Sequence, residues 1–407
     1  MNNGFFVIDA DRHVMEPSDL WDRYLEPEFK GRVRIRGPFQ SRRYIDGRSV
    51  SDSDQLPRDC TYDEEAMSAA LFTEDPLYRS VFADGVAHGF DPASNLRYMD
   101  REGVDVAVLF PTLGLYIIWD DEIDPKISAA ICRAYNNWLA DYCSHDRARL
   151  KGVALIPLHD TRLAVEELRR AKNELGLSGI FWRPNRLKGR TLGHPDYFPI
   201  YEVASELEIP VCVHEGARTV MAQAGADRYS PFGRHVACHP LEQMLAALTL
   251  AADGVLERFP ELKVAQLEAG CGWLPYWLER MDEHWKHYTL GRERTTNELP
   301  SAYWKRQCVI SCEAGEELIG CFVEHVGDDY LIMATDYPHA DAAEKFPERT
   351  VGDLANNDAL SEATRRKILW DNPARLYGIR ETPDSLLPQR EIRRIHRGGA
   401  EDAEKGK

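Results

Sequence analysis

Eight short apolar runs, separated by amphipathic stretches, constrain the fold more than any other feature of this sequence. Amphipathic segments such as 127–144 and 241–259 lie between them. Strands that alternate with helices form right-handed βαβ units and a parallel sheet. Eight units predict an α/β protein, a closed (β/α)8 TIM barrel with its active site at the carboxyl ends of the strands. A doubly wound open sheet is the alternative, but it usually has fewer strands and often a glycine-rich first turn, which is absent here. The runs are 5–8, 104–110, 152–156, 179–181, 210–213, 263–267, 307–311 and 330–334.

Two segments depart from this repeat. Residues 31–92 separate the first run from the helix before the second, and they are far longer than an ordinary βα loop. We expect an insertion after strand 1 that caps the substrate pocket as a lid, the alternative being a solvated excursion with no role. Residues 379–407 are polar and rich in Pro, Arg and Glu, and are expected to form a tail outside a barrel that spans residues 1–378.

The acidic balance of the chain restricts its partners. The 407 residues include 50 Lys and Arg against 67 Asp and Glu, a net charge of −17. Such a field repels phosphate backbones and anionic lipid, so neither nucleic acid nor membrane is expected as a partner. No run approaches the roughly 20 apolar residues of a membrane helix, and the first residues do not resemble a secretory signal. Nine scattered cysteines without a CxxC pair suit reduced thiols. The sequence predicts a cytoplasmic protein that acts on a small molecule.

Ionisable side chains directly follow four of the eight predicted strands. They are Asp9, Asp11 and His13 after the first, His214 after the fifth, Glu268 after the sixth and Asp336 after the eighth. In an extended strand Asp9, Asp11 and His13 share one face. Each residue alone could be a hydrogen-bonded core residue or a helix N-cap. Together, convergent carboxylates and imidazoles require a cation between them, so the sequence predicts a metal site.

Four further residues are weaker candidates. His239 precedes the helix after strand five, where a further metal ligand and an ordinary N-terminal helix residue are equally good interpretations. His339 and Glu313 follow strands eight and seven and are placed to meet substrate or to support the ligands. Arg183 follows strand four and could hold a substrate carboxylate in a bidentate fashion, a structural salt bridge being the equal alternative.

Four segments carry a resemblance to a known family. They are IDADRHVMEP, VCVHEG, HPLEQMLAALTLAADGVLERFPELKVAQLEAGCGWLPYWLERMDEH and MATDYPHAD. The chain resembles the amidohydrolase superfamily from Phe5 to about Gly378, and more closely its branch of aminocarboxymuconate-semialdehyde decarboxylase-like enzymes. The resemblance implies metal ligands in a His-x-His pair, a strand-five His, a strand-six His and a strand-eight Asp. Here Asp11 replaces the first His and Glu268 replaces the strand-six His.

The two replacements decide the predicted chemistry. Harder oxygen ligands shift preference from zinc toward iron or manganese. Three carboxylates also carry more charge than one divalent ion neutralises, so we expect two irons bridged by Glu268. The sequence further resembles a small offshoot of non-heme diiron monooxygenases in terpenoid antibiotic biosynthesis.

This resemblance implies O₂-dependent hydroxylation of a sizeable apolar intermediate, terpenoid or acyl-thioester, with Asp336 and Glu268 as catalytic residues. The alternative left open is a metal-dependent hydrolase or non-oxidative decarboxylase of a small carboxylate, amide or ester, with one Zn(II) or Mn(II). Family habit implies a homo-oligomer.

Overall fold

Eight parallel strands form a nearly closed barrel in the computed structural model. The structure describes residues 4–36, 42–50, 75–216, 223–225, 231–287, 296–339, 346, 349–382 and 385–386. Its strands are β1 (Ile8–Val14), β2 (Val33–Arg36), β3 (Arg42–Ile45), β4 (Arg48–Ser49), β5 (Val106–Pro111), β6 (Leu150–Ala154), β7 (Gly179–Trp182), β8 (Val211–His214), β9 (Val264–Leu267), β10 (Cys308–Glu313) and β11 (Leu331–Ala334). The barrel order is β1-β5-β6-β7-β8-β9-β10-β11, each hydrogen-bonded pair being parallel. The predicted (β/α)8 TIM barrel is confirmed.

Helices follow the barrel strands. They are α1 (Leu20–Tyr24), α2 (Pro76–Val81), α3 (Ala83–His88), α4 (Pro92–Glu102), α5 (Gly114–Ile117), α6 (Pro125–Cys143), α7 (Thr161–Asn173), α8 (Phe198–Glu206), α9 (Pro231–Ala252), α10 (Val255–Arg258), α11 (Leu274–His287), α12 (Pro300–Gln307), α13 (Ile319–His325), α14 (Gly352–Ala355), α15 (Glu362–Arg366) and α16 (Asn372–Tyr377). Several begin at an aspartate N-cap whose carboxylate accepts a backbone N–H, as Asp91 does for α4 and Asp160 for α7. None of the helices in the described ranges is both long enough and apolar enough to cross a membrane.

The first strand differs from its prediction. The apolar run at 5–8 indicates a strand that ends before the polar residues, but β1 is Ile8–Val14 and all seven residues are buried. Polar side chains can occupy such a strand only where they find buried partners. The register of β1 against β5 also shifts between Asp9 and Arg12, as at a β-bulge. The expectation that Asp9 faces the same way as Asp11 and His13 is therefore wrong, and the carboxylate of Asp9 binds Arg12 and Thr335 instead.

Two backbone hydrogen bonds close the barrel where β1 meets the end of β11. The amide of Asp336 donates to Asp11 O at 3.1 Å, and the amide of His13 donates to Tyr337 O at 2.6 Å. We call this junction, residues 8–14 and 331–337, the seam. Because the chain direction is the same in both strands, the seam brings the first and last barrel strands to one carboxyl-terminal mouth.

The segment predicted as a lid contributes a small sheet and two short helices. β2, β3 and β4 form an antiparallel three-stranded sheet. Tyr78 of α2 and Phe82 pack with Tyr98, Tyr337 and Phe346 in an aromatic cluster. Residues 37–41 and 51–74 of the predicted lid lie outside the described residues, as do 383–384 and 387–407 of the predicted tail. The lid therefore stays a prediction.

Candidate metal centre

Two side chains of β1 point from the strand into the barrel mouth. Asp11 and His13 are both fully buried, at 0 % and 1 % exposure. The Nδ1 atom of His13 lies 2.8 Å from the carbonyl oxygen of Pro111 at the end of β5. A carbonyl only accepts, so Nδ1 carries the ring proton and Nε2 presents its lone pair to the mouth. Burial, and then the charges of His339 and His214, lower the pKa of His13 well below its ordinary value, which favours the neutral ring that binds metal.

His214 ends β8 and meets His13 across the mouth. Its Nδ1 lies 2.6 Å from the carbonyl oxygen of Glu215, so this ring also directs a lone pair from Nε2 inward. The two Nε2 atoms are 3.1 Å apart. Two lone pairs at this distance repel unless a proton or a metal ion lies between them. The arrangement therefore suits a cation shared by the two rings.

Asp336 approaches the same place from the end of β11. Its backbone lies in the left-handed region, with φ at 57°, and its Oδ1 is 3.4 Å from His13 Nε2. His339 stacks on the His13 ring, with centroids 4.0 Å apart, and places Nδ1 2.7 Å from Asp336 Oδ1. The other nitrogen of His339 lies 3.1 Å from Thr112 Oγ1. His339 thus lies against both the His13 ring and the Asp336 carboxylate.

The buried carboxylate of Asp11 fits a metal ion. Neither of its oxygens has a hydrogen-bond partner among the described residues, and Oδ1 lies 3.3 Å from His214 Nε2 and 3.6 Å from His13 Nε2. A fully buried acid without hydrogen bonds is costly unless a cation compensates it. Asp11, His13 and His214 form one group whose ligand atoms lie within 4.8 Å of one another, and His13, Asp336 and His339 form a second. The groups share His13, so they describe one compact centre.

Glu268 and His239 are in neither group. Glu268 follows β9 with φ at 60°, and its Oε2 lies 3.8 Å from His214 Nε2 at the edge of the centre. His239 lies on α9, where its Nδ1 is 3.1 Å from His235 O and its ring packs against His235. Glu268 thus adjoins the candidate ligand His214, whereas His239 contacts His235, one turn earlier on the same helix.

The predicted substrate residues lie in different surroundings. Glu313 ends β10, and its amide donates to Glu316 Oε1 at 2.7 Å. Arg183 is fully buried, and its guanidinium donates to Glu215 Oε1 at 2.5 Å, to Asn185 Oδ1 and to two backbone carbonyls. Desolvation by burial raises the pKa of Glu215 to about 7, although Arg183 opposes this rise. Of the two alternatives predicted for Arg183, substrate binding and a structural salt bridge, the structure shows the salt bridge, which Arg183 makes with Glu215.

Thr112 is a site residue that the sequence reasoning missed. It directly follows β5, and its hydroxyl contacts His339. Glu16 orients this loop, because its carboxylate accepts the amides of Leu113 and Gly114 at 2.9 and 3.0 Å. The rule that found the other residues, a polar residue directly after a strand, would also have found Thr112. It was passed over because threonine is not ionisable.

A family comparison decides the affiliation. The family described as amidohydrolase matches residues 8–379. The chain belongs to the amidohydrolase family. It is similar to 2-amino-3-carboxymuconate-6-semialdehyde decarboxylase of Dictyostelium discoideum, with 27% identity over 292 residues, which are 71% of this chain and 77% of that protein. It is also similar to the gamma-resorcylate decarboxylase of Polaromonas sp., with 25% identity over 309 residues, 70% and 86% of the two chains.

A solved amidohydrolase-fold structure supports the architecture. The dihydroxybenzoic acid decarboxylase from Polaromonas sp. JS666, which has bound manganese and the inhibitor 2-nitroresorcinol, superposes with a TM-score of 0.60 and 18% identity. The match covers 93% of this chain and 98% of that one. At this identity the likeness establishes the shared fold.

These relatives correct the predicted chemistry. The prediction of a diiron monooxygenase of antibiotic biosynthesis that hydroxylates with O₂ is wrong, because the two relatives named above are decarboxylases. The two bridged irons are likewise unsupported, whereas a related structure contains manganese. The prediction of two irons counts the charge of Glu268 together with those of Asp11 and Asp336. In the structure Glu268 is in neither group of candidate ligands and lies 3.8 Å from His214 Nε2. The carboxylates within the two groups are those of Asp11 and Asp336, and one divalent ion balances their two charges.

Proposed function

We propose that the protein is a metal-dependent, non-oxidative decarboxylase of a small aromatic or conjugated carboxylate. The observation that carries the proposal is the convergence of two imidazoles, whose Nε2 atoms are 3.1 Å apart, and the carboxylate of Asp11, which has no hydrogen bond among the described residues, on one buried point. The similarity to two decarboxylases supplies the reaction class. These observations favour the alternative of the sequence analysis, a non-oxidative decarboxylase with one Zn(II) or Mn(II), over an O₂-dependent hydroxylase.

The residues that would hold the ion are Asp11, His13, His214 and Asp336. A bound divalent ion would act there as a Lewis acid toward an oxygen of the substrate. His13 and His214 keep their Nε2 lone pairs inward because the Pro111 and Glu215 carbonyls hold their Nδ1 protons. His339 places its Nδ1 2.7 Å from Asp336 Oδ1, on the side of the carboxylate that faces His13.

Decarboxylation requires a proton at the carbon that loses its carboxylate. The carbon–carbon bond breaks, CO₂ leaves, and the bonding electron pair forms the new carbon–hydrogen bond. Glu268 is the carboxyl that we assign to this transfer. It lies 3.8 Å from His214 Nε2 and is 17% exposed, so it adjoins the ligands and reaches the mouth. A proton donor positioned in this way contributes about 10²–10⁴-fold to the rate. Asp336, the other predicted catalytic residue, is assigned to orientation and binding of the ion.

The insertion is proposed to cover this site. Tyr337 directly follows Asp336, and its ring packs against Phe82 with centroids 5.3 Å apart. The described part of the insertion thus touches the residue next to a proposed ligand. A cap in this position can exclude water from the reacting carbon.

The test is turnover of metal-reconstituted protein with 2,6-dihydroxybenzoate and with 2-amino-3-carboxymuconate-6-semialdehyde. We expect CO₂ release with Mn²⁺ or Zn²⁺ at equal rates under argon and in air, and loss of activity with EDTA. The His214→Gln variant should be inactive, whereas His235→Gln, which alters an exposed histidine of α9, should retain activity. Turnover that requires O₂, or that survives complete removal of metal, would overturn the proposal.

A further inference from the structure

A buried polar network lies on the outer side of the seam, behind the proposed ligands. Arg12 lies between Asp11 and His13 in sequence, and its side chain is fully buried. Its Nη1 lies 2.8 Å from Glu102 Oε2 and 3.3 Å from Asp9 Oδ2. Its Nε donates to Asn95 Oδ1 at 2.8 Å. The β-bulge in β1 is what turns Asp9 toward Arg12 and away from the metal centre.

This network holds the end of β11. Asp9 accepts two hydrogen bonds from Thr335, from the amide at 3.0 Å and from the hydroxyl at 2.5 Å. The Thr335 hydroxyl oxygen in turn accepts the amide of Tyr337 at 3.2 Å. The Arg12 guanidinium lies 3.7 Å from the centroid of the Tyr337 ring, a close cation–π contact. Both residues that flank Asp336 are therefore held by side chains of β1.

Asp336 needs such support because its backbone is strained. A non-glycine residue with φ at 57° occupies a region that side chains disfavour, and it persists only where neighbouring structure enforces it. If the segment 335–337 relaxed, the Asp336 carboxylate would leave His13. Strand β1 thus has two roles. Asp11 and His13 face the mouth, and Asp9 and Arg12 hold the residues on either side of Asp336.

We infer that Asp9, Arg12 and Thr335 are positioning residues of the metal centre, which hold Asp336 in its binding orientation across the seam. The inference rests on the proposed metal site and not on which reaction the site performs. Supporting residues of this kind change metal affinity by about 10–100-fold when they are altered.

The test is the dissociation constant for Mn²⁺ of metal-free protein, measured by titration with electron paramagnetic resonance. Thr335→Val keeps the shape of the side chain but removes the hydroxyl that joins Asp9 to Tyr337, and we expect affinity to fall about 10-fold or more. Thr335→Ser keeps the hydroxyl and should restore affinity to within about threefold. Thr350→Val is the matched control, because Thr350 donates to Glu102 Oε1 at 3.2 Å and is no part of the hydrogen bonds that join Asp9, Thr335 and Tyr337.

Asp9→Asn provides a second variant, since an amide offers one oxygen where the carboxylate offers two, and it should also weaken Mn²⁺ binding. Unchanged affinity in both Thr335→Val and Asp9→Asn would overturn the inference. An equal loss in Thr350→Val would do so too, because the effect would then be general destabilisation. Absence of Mn²⁺ binding in the parent protein would overturn it together with the metal site, whereas absence of decarboxylation with Mn²⁺ bound would contradict the proposed function alone.

Discussion

At the scale of single residues, Asp11 is the side chain whose surroundings favour an ion most directly and stability of the metal-free chain least. A carboxylate that is fully buried and accepts no hydrogen bond among the described residues opposes folding of the metal-free chain. Asp9, two residues earlier, is equally buried but accepts hydrogen bonds from Thr335 and pairs with Arg12. The two aspartates therefore form a natural comparison within one strand.

Asp11→Asn should stabilise the metal-free protein. Removal of a buried, unbonded charge is expected to raise the free energy of unfolding by about 1 kcal/mol or more. In Mn²⁺ at 100 times the dissociation constant, the parent gains about 2.7 kcal/mol by mass action, so the order should reverse. Urea denaturation with and without Mn²⁺ measures both effects. Asp9→Asn is the control and should lower stability in both conditions, and a metal-free Asp11→Asn less stable than its parent would contradict the argument.

Glu268→Gln should separate catalysis from metal binding. The variant keeps the size of the side chain but cannot donate the proton that the reaction consumes, so kcat should fall about 100-fold or more. Its Mn²⁺ content should match that of the parent, because Glu268 is in neither ligand group. Glu317→Gln, an exposed glutamate near the end of β10, is the control. A variant that loses its metal, or one that keeps full turnover, would show that the assignment of Glu268 is mistaken.

At the scale of elements, the barrel strands after the first follow from the sequence, whereas β1 and the small sheet of β2, β3 and β4 do not. Runs such as Val211–His214 are apolar and β-branched, and a barrel buries both of their faces. In β1 four of the seven buried positions hold Asp9, Asp11, Arg12 and His13, and their partners outside the strand lie 83 to 326 positions away. No local pattern encodes such partners. The expectation that polar residues directly after strands form the site names Asp11, His13, His214, Asp336 and Glu268 alike. For the same reason it could not show that Glu268 lies outside the two groups of candidate ligands.

Phe82→Ala tests the insertion as a cap. Phe82 is fully buried in the aromatic cluster that includes Tyr337, and its truncation should cost about 3–5 kcal/mol of packing. If the insertion covers the substrate, KM should rise several-fold while the dissociation constant for Mn²⁺ stays unchanged. Leu77→Ala, which alters a residue of α2 that is 45% exposed, should change neither quantity. An unchanged KM in a folded Phe82→Ala protein would argue against the cap.

At the scale of the whole molecule, the net charge of −17 opposes the approach of a carboxylate substrate. Salt screens this repulsion, since the Debye length falls from about 30 Å at 0.01 M to about 8 Å at 0.15 M ionic strength. We therefore expect kcat/KM for a carboxylate substrate to rise about twofold or more over this range. Resorcinol lacks the carboxylate, so its inhibition constant should change little and serves as the control. A value of kcat/KM that falls with salt would mean that local positive charge at the mouth outweighs the net charge.

The seam has a consequence for local unfolding, because the proposed ligands lie on both of its sides. Asp11 and His13 belong to the first barrel strand, and Asp336 follows the last, so an ion held by all three would join segments more than 300 positions apart. Opening of the barrel between β1 and β11 would then require release of the ion. Amide hydrogen exchange at residues 8–14 and 331–337 should slow on addition of Mn²⁺ by the factor 1 + [Mn²⁺]/Kd. Exchange in α7, which lies between the third and fourth barrel strands and away from the seam, should stay as it was. Equal slowing of exchange in α7 would indicate general stabilisation by Mn²⁺. Strands β1 and β11 would then separate only when the whole fold unfolds.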